Sequence, residues 1–404
     1  MSLDLTQTAI QIDGMAQELR SRDAGRRSRI ERAVETLLRF DAEEYAEKLQ
    51  SSRQTLAWRL PGVPEDPAAR HAAPAAPDDF CVVATDGSHI DVDRHLPARC
   101  FLINIGVSVL TYGSSSDARL FNEPRLYATE DDLVIRDRLS PQREQVIEGA
   151  VLGARRTVEE IAALVTAVRD LPEDIPALAL MDGSLIMYNL LGFGNRQFVL
   201  RELIEEGFVA ALEELRRLAD RRRLAVASYI SLPRGADVVN ALRLRTCPFD
   251  VAECERHCGQ LRPGRRPCDE GAWGIYDREL FSETLAPGER SAVFVSSSDL
   301  VADYYQGHDV HFFYLHAGEE IGRVEIPSWV AEDEALLGLT HALILDQCRR
   351  GPGYPIALME AHEQAVVTGP DRRFFVEQVE NTLSGQGLPV YSSEKSRSKR
   401  LRWL

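Results

Sequence analysis

Two carboxylates in this chain stand in the same local frame, each closing an apolar run and each followed by Gly-Ser. The first run is Phe80-Cys-Val-Val-Ala-Thr-Asp86-Gly87-Ser88 and the second is Ala177-Leu-Ala-Leu-Met181-Asp182-Gly183-Ser184. A short continuous apolar stretch bounded by turn residues reads as a strand buried on both faces. An acid in its last position, followed by Gly, sits where the chain leaves the sheet. There it reaches solvent or a metal while its backbone stays fixed. One Asp-Gly alone would read as a turn. Two of them on core-strand runs, with an acid-bearing helix between, read as a pair converging on a hard divalent cation.

Two further groups have the residue types for chemistry. Gly351-Pro-Gly-Tyr354-Pro-Ile-Ala-Leu-Met-Glu360-Ala-His362-Glu363 is an apolar, strand-like run after a Gly-Pro turn. It delivers Glu360, His362 and Glu363 at the start of a helix, where a neutral imidazole ligates a metal or transfers a proton. Cys247, Cys254, Cys258 and Cys268 fall within 22 residues. Four such thiols suit a structural Zn²⁺ or an iron–sulfur cluster. Their spacings match neither a zinc ribbon nor the common ferredoxin run, and His257 is a substitute ligand. A site there would brace a loop and take no part in catalysis.

The elements that must position these residues are read from periodicity. Residues 5 to 50 read as two helices, the second around Arg26 to Leu49 with a stripe at Ile30, Ala33, Val34, Leu37 and Leu38. The Pro/Ala-rich stretch 61–77 reads as a linker between an N-terminal helical region, 1–60, and a main domain, 78–390. A Cys-rich insertion spans about 245–270 within that domain, and a basic tail, 391–404, follows it. After the first Asp-Gly-Ser come strands at 97–112 and 118–128, which are antiparallel hairpin neighbours. A long helix over 141–168 opens at Ser140-Pro141, an N-cap followed by proline at the first helical position. The second Asp-Gly-Ser strand follows, then a helix at 197–220 and a strand at 223–231. This order, three antiparallel strands, helix, strand, helix, strand, is that of a ribonuclease H-like α/β fold, a mixed sheet flanked by helices. The remaining third continues with strand-like runs from Ser291, His311 and Gly322 and helices at 331–349 and after Asp371.

In such a topology the first-strand acid, a helix acid and the fourth-strand acid hold two divalent ions that flank a scissile phosphate. Asp86 and Asp182 fill the strand roles. Glu144, Glu148, Glu159 and Glu160 are the helix candidates; Glu160, bordering the core stripe in the C-terminal half, is preferred and Glu159 comes second.

These residues carry a resemblance. Ala84-Thr-Asp86-Gly-Ser88, Met181-Asp182-Gly-Ser-Leu185, Arg323-Val-Glu-Ile-Pro327 and Gly353-Tyr354-Pro through Glu360-Ala-His362-Glu resemble the NurA nucleases over roughly residues 78 to 400. The resemblance implies a ribonuclease H-like core and Mn²⁺- (or Mg²⁺-) dependent cleavage of DNA. It also implies a homodimer docked on a HerA-type hexameric ATPase in DNA end processing and double-strand break repair. The catalytic set it implies here is Asp86, Glu160 or Glu159, Asp182, Tyr354 and His362, with Asp86, Glu160, Asp182 and His362 at the metal. The tyrosine and histidine are eight residues apart, as in the family. The four cysteines depart from the simplest family pattern.

Composition bounds the reading. The 404 residues carry a net charge of -16, with 44% hydrophobic and 27% charged residues. These values are ordinary for a globular protein and argue against a general nucleic-acid coating protein. No run of 18 apolar residues occurs and the N-terminus lacks a basic region followed by an apolar core, so a cytoplasmic protein without a membrane span is expected. Seven cysteines, an odd count, argue against a disulfide framework. Lys395, Arg397, Lys399, Arg400 and Arg402 form a basic tail, a solvated extension or a phosphate contact. The expected activity is a metal-dependent DNA exonuclease, with endonuclease action as an addition. Its rivals are another ribonuclease H-fold phosphoryl-transfer enzyme and a non-catalytic scaffold that regulates an ATPase ring.

Overall fold

The computed structural model of the chain describes residues 4–23, 25–52, 55–56, 58–91, 98–194 and 196–388, and the basic tail read at 391–404 lies outside them. Contacts divide the chain into two compact units. One comprises Met1–Ala72, Ser231–Ser297 and Phe312–Arg323; the other comprises Ala73–Ile230, Ser298–His311 and Val324–Leu404. Among the described residues no helix is long and apolar enough to cross a membrane.

The second unit carries the paired acids on one sheet. Its strands are β1 (Phe80–Ile90), β2 (Phe101–Tyr112), β3 (Asp117–Tyr127), β4 (Ala177–Asp182) and β5 (Leu224–Ile230). They lie in the order β5-β4-β1-β2-β3, with β6 (Ile321–Pro327) beyond β5. The first three strands pair antiparallel, whereas β4 runs parallel to both β1 and β5. This is the mixed ribonuclease H-like sheet expected from the element order. Residues Phe80–Ala84 and Ala177–Met181 are buried throughout, because helices cover both faces where the strands run parallel. Strand β3 is mostly exposed, and Pro124 and its alternating charges blunt that edge.

Three helices frame the site. The first, α1 (Ala150–Arg169), connects β3 to β4 and buries Val151, Ala154, Ile161, Leu164, Val165 and Val168. Near the C-terminus, α2 (Ile356–Ala365) packs on β1 and β2. It is followed by α3 (Gly369–Gly385), none of whose residues is buried.

Several local readings are corrected by longer-range pairing. Ser140-Pro141 opens a strand, Ser140–Val146, which pairs with Val134–Asp137. The helix begins only at Ala150, after Gly149 takes a left-handed φ of 55°. The hairpin wins because it buries Ile135 and Ile147, and a Ser-Pro start is compatible with an edge strand too. Residues 5 to 50 form three helices, Leu5–Asp23, Arg26–Leu38 and Ala42–Ser52. The break falls where the Asp41 carboxylate accepts the N–H groups of Glu43 and Glu44 and starts a new helix. The run after Gly351 is not a strand: it turns at Gly353, at φ 91°, and enters α2 directly. The stretch 61–77 carries a short strand, Arg70–Ala72, paired with Glu289–Ser291.

The first unit has its own core around Leu242, Phe281, Phe294, Phe312 and Tyr314. Within it the Tyr314 hydroxyl donates to Asp277 at 2.7 Å and Arg323 pairs with Asp237 at 2.8 Å.

Candidate functional site

Parallel pairing brings the two aspartates together. Strands β1 and β4 are in register through Thr85↔Met181, so Asp86 and Asp182 stand one residue further along neighbouring strands and on the same face. Only the second of them ends its strand, since Gly183 follows at φ 84°. Strand β1 continues through Gly87 and Ser88 to Ile90, paired with β2 all the way. The first Asp-Gly is therefore no turn. Gly87 is small for another reason, given below.

From one face of the sheet α2 supplies an imidazole, and the turn before it supplies a phenol. The His362 Nδ1 lies 2.7 Å from Asp86 Oδ2, and the Tyr354 hydroxyl donates to Asp182 Oδ1 at 2.9 Å. The other Asp86 oxygen accepts the Gly87 N–H at 2.7 Å. The helix is locked to β2 through its own backbone carbonyls. Ser108 Oγ donates to the Ala357 carbonyl at 2.7 Å and Asn104 Nδ2 to that of Ala365 at 2.9 Å. At Gly106 the helix comes so close that a Cβ would stand 2.1 Å from the Ala361 carbonyl oxygen. These contacts fix where the tyrosine and histidine, eight residues apart, meet the two acids.

From the other face α1 supplies Glu160. Thr85 Oγ1 donates to the Glu160 carbonyl at 3.0 Å and ties the helix to β1 next to Asp86. The Glu160 carboxylate then passes over Gly87, where a Cβ would lie 2.6 Å from Oε1. Gly87 is the opening that lets this acid approach the aspartates. Arg156 Nε stands 3.0 Å from Glu160 Oε1 without hydrogen-bond alignment, so that buried oxygen has no hydrogen-bond partner.

The electrostatics follow from this packing. Burial, with Asp86 and Asp182 adding to it against the opposing Arg156 charge, pushes the Glu160 pKa up to about 8. Burial also raises Asp182, reinforced by Asp86 and moderated by the Tyr354 hydroxyl. The acids thus raise one another's cost of ionisation, with Arg156 and the His362 ring set against them. Oxygen donors in such a place fit a hard divalent cation in chemical type. As the side chains stand, no group of three or more His, Cys, Asp or Glu among the described residues has metal-holding geometry. The hydrogen bonds of Asp86 and Asp182 to His362 and Tyr354 occupy the oxygens that an ion would take.

The other helix acids lie elsewhere. Glu159 points away from the aspartates and pairs with Arg155 at 3.1 Å and with Arg125. Glu144 sits on the Ser140–Val146 strand opposite Arg136, and Glu148 is exposed between that strand and α1. Sequence reading did not assign a role to Glu325 on β6. Its carboxylate, 1% exposed, accepts the Ser184 hydroxyl at 2.7 Å and the Leu185 N–H at 2.9 Å. It anchors the loop that follows Asp182. The available signal was an acid inside the otherwise apolar run Val324-Glu325-Ile326.

The cysteines behave differently. All four are free thiols. Cys258 and Cys268 are buried and Cys247 and Cys254 half-buried. Burial raises Cys254 and pushes Cys268 up to about 11, which favours the protonated form of those two thiols. His257 stacks on Phe249 at 4.0 Å. No ligand set for zinc or an iron–sulfur cluster closes there.

The NurA domain family model matches residues 81–367 of the chain. Among solved structures the chain is similar to a NurA bound to dAMP and manganese, at 15% identity and a TM-score of 0.33, covering 76% of this chain and 89% of that one. It is similar to a NurA with manganese at 14% identity and a TM-score of 0.31, covering 77% and 90%. LC9-RNase H1, a type 1 RNase H with the type 2 active-site motif, is similar at 11% identity and a TM-score of 0.21, covering 42% and 72%. No curated protein matches the chain.

Proposed function

The chain belongs to the NurA domain family, whose model spans residues 81–367, and from that premise we propose that it is a metal-dependent DNA nuclease. The observation that carries this reading is the placement of Asp86 and Asp182 side by side on neighbouring strands, with Glu160 near enough that burial and the two aspartates, against the opposing Arg156, push its pKa up to about 8. Those three carboxylates would hold Mn²⁺ or Mg²⁺. The bound ion would supply Lewis acidity at the phosphoryl oxygens and a more acidic water.

The chain's own residues account for the rest. The Tyr354 hydroxyl, held on Asp182, would orient the phosphate or the attacking water. The imidazole of His362 engages Asp86 through Nδ1 and is largely exposed, which suits it to hand a proton to the leaving oxygen as the phosphorus–oxygen bond breaks. We assign the substrate as DNA ends, cut exonucleolytically with endonucleolytic action as an addition. The partner is a HerA-type hexameric ATPase, engaged by a homodimer in double-strand break repair. Delivery by a ring suits a chain whose net charge is -16.

The test is cleavage of end-labelled single- and double-stranded DNA with Mn²⁺, Mg²⁺ or EDTA, for wild type, Asp86→Asn and Asp182→Asn. Metal-dependent cutting lost in both variants, with unchanged circular dichroism, supports the reading. Cutting that survives both places the active site elsewhere. A second reading, a regulatory subunit of an ATPase ring, draws on the acids' lack of closed metal-holding geometry. It expects no cutting by wild type and ATPase stimulation that persists in Asp86→Asn.

A further inference from the structure

Past Asp86, cationic side chains gather at the far end of β1. Arg156, one turn before Glu160 on α1, lays its side-chain carbons over Gly87, where a Cβ would meet its Cγ at 2.9 Å. Arg372, in the first turns of α3, is exposed and donates its Nη2–H to the backbone carbonyl of His89 at 2.8 Å. The positive charges of both arginines bear on the His89 ring, opposed by the Asp91 carboxylate, and with burial they depress its pKa. His89 Nδ1 is buried without a hydrogen-bond partner, and so is Arg156 Nε.

Two guanidiniums beside one half-buried imidazole gather hydrogen-bond donors and positive charge at this end of the strand, opposed in part by Glu160 beside Arg156 and by Asp91. Such a place suits an anion with several oxygens, and a phosphodiester supplies them. The setting of Arg372 points the same way. Helix α3 buries none of its residues, yet the Thr368 side chain caps its N-terminus and Arg372 ties it to β1. Helix α3 thereby holds Arg372 beside the end of β1.

We propose that Arg156, Arg372 and His89 form a phosphate-binding subsite for the nucleic-acid strand, holding a backbone phosphate neighbouring the scissile one. The proposal rests on the nuclease reading, and the two fail separately. The experiment is fluorescence anisotropy of a labelled single-stranded 20-mer in EDTA across a KCl series, for wild type, Arg372→Ala and Arg372→Lys. Thermal melts and Mn²⁺-dependent cleavage by wild type are measured alongside.

We expect Arg372→Ala to weaken binding by about 3- to 10-fold near 0.1 M salt and to lower the slope of log K against log salt by about 0.7, one phosphate contact on a single strand. Arg372→Lys keeps the charge and should keep the slope. A slope unchanged in Arg372→Ala overturns the subsite. If the melting temperature falls at the same time, Arg372 is only a strap for α3. Wild type that binds without salt dependence, or does not bind, also overturns it. Wild type that fails to cut while Arg372→Ala still lowers the slope sinks the nuclease reading and leaves the phosphate contact standing.

Discussion

The acid centre on β1 and β4 and the cysteine group at 247–268 both bring potential metal ligands together, and they differ in what surrounds those ligands. Around Asp86, Glu160 and Asp182 the protein presses carboxylates toward one another and leaves a Glu160 oxygen without a hydrogen-bond partner, with Arg156 and the His362 ring beside them. Around the cysteines it does the reverse. Arg243 lies among them but is already paired with Asp269 at 2.6 Å and stacked over Trp58, while burial raises Cys254 and Cys268 toward the neutral thiol. Clustering of ligand types is common to both regions. Of the two regions, the acid centre alone has neighbouring carboxylates that raise a carboxylate pKa, and the site should be sought there.

The largest effect expected from this contrast separates the two regions outright. Asp86→Asn or Asp182→Asn should lower metal-dependent cleavage by about 10³-fold or more, since loss of an ion's charge stabilisation is worth several kcal/mol. Cys254→Ser with Cys258→Ser should leave both the cleavage rate and its metal dependence in place. Cleavage lost in the serine variant, with the fold intact, would dissolve the distinction.

A smaller effect sharpens the account of Gly87. A Cβ there would lie 2.6 Å from Glu160 Oε1 and 2.9 Å from Arg156 Cγ, both on flexible side chains, so Gly87→Ala should fold and push the carboxylate and the arginine aside. Misplacing one ligand by about 1 Å costs on the order of 100-fold in rate. Gly87→Ala should therefore lose about that much cleavage with little change in melting temperature. A large melting-temperature loss instead would mean that Gly87 serves the packing of α1 more than the reach of Glu160.

The acid strands were legible in the sequence because they depend on local pattern, whereas Tyr354 and His362 entered only through the family resemblance. An apolar run ending in Asp-Gly announces a core strand, and the order of such runs announces the sheet. What was not legible depends on a partner far along the chain. Ser140-Pro141 carries a helix-start signature, but pairing with Val134–Asp137 made it a strand. Gly87 looked like a turn glycine, and only the approach of α1 shows that it makes room for Glu160. Glu325 sits 141 residues from Ser184, and nothing local to either residue indicates that one anchors the other.

Protonation gives the next test. In the folded chain without metal, Glu160 holds its proton up to about pH 8, whereas an unfolded glutamate loses it near 4.5. Between those values the folded state binds the extra proton, so this group's contribution to stability is present below 4.5 and is lost as pH rises through 8. An ion must displace that proton, so apparent Mn²⁺ affinity should rise by about tenfold per pH unit up to 8 and then level off. Thermal melts with and without Mn²⁺ from pH 6 to 8.5 read this directly. Glu160→Gln should flatten the pH dependence, and an equally steep rise in that variant would assign the proton to another group.

The smallest effect concerns the loop after Asp182. Glu325 accepts two hydrogen bonds there while 1% exposed, so Glu325→Ala strands the Ser184 hydroxyl and the Leu185 N–H in a buried place. That costs about 1–3 kcal/mol. Glu325→Gln keeps an acceptor and should lose less, as read by urea unfolding. If Glu325 acts only on the loop, both variants should weaken Mn²⁺ binding in proportion to their loss of stability. Weakened binding in Glu325→Gln at unchanged stability would instead place its negative charge among those that act on the ion.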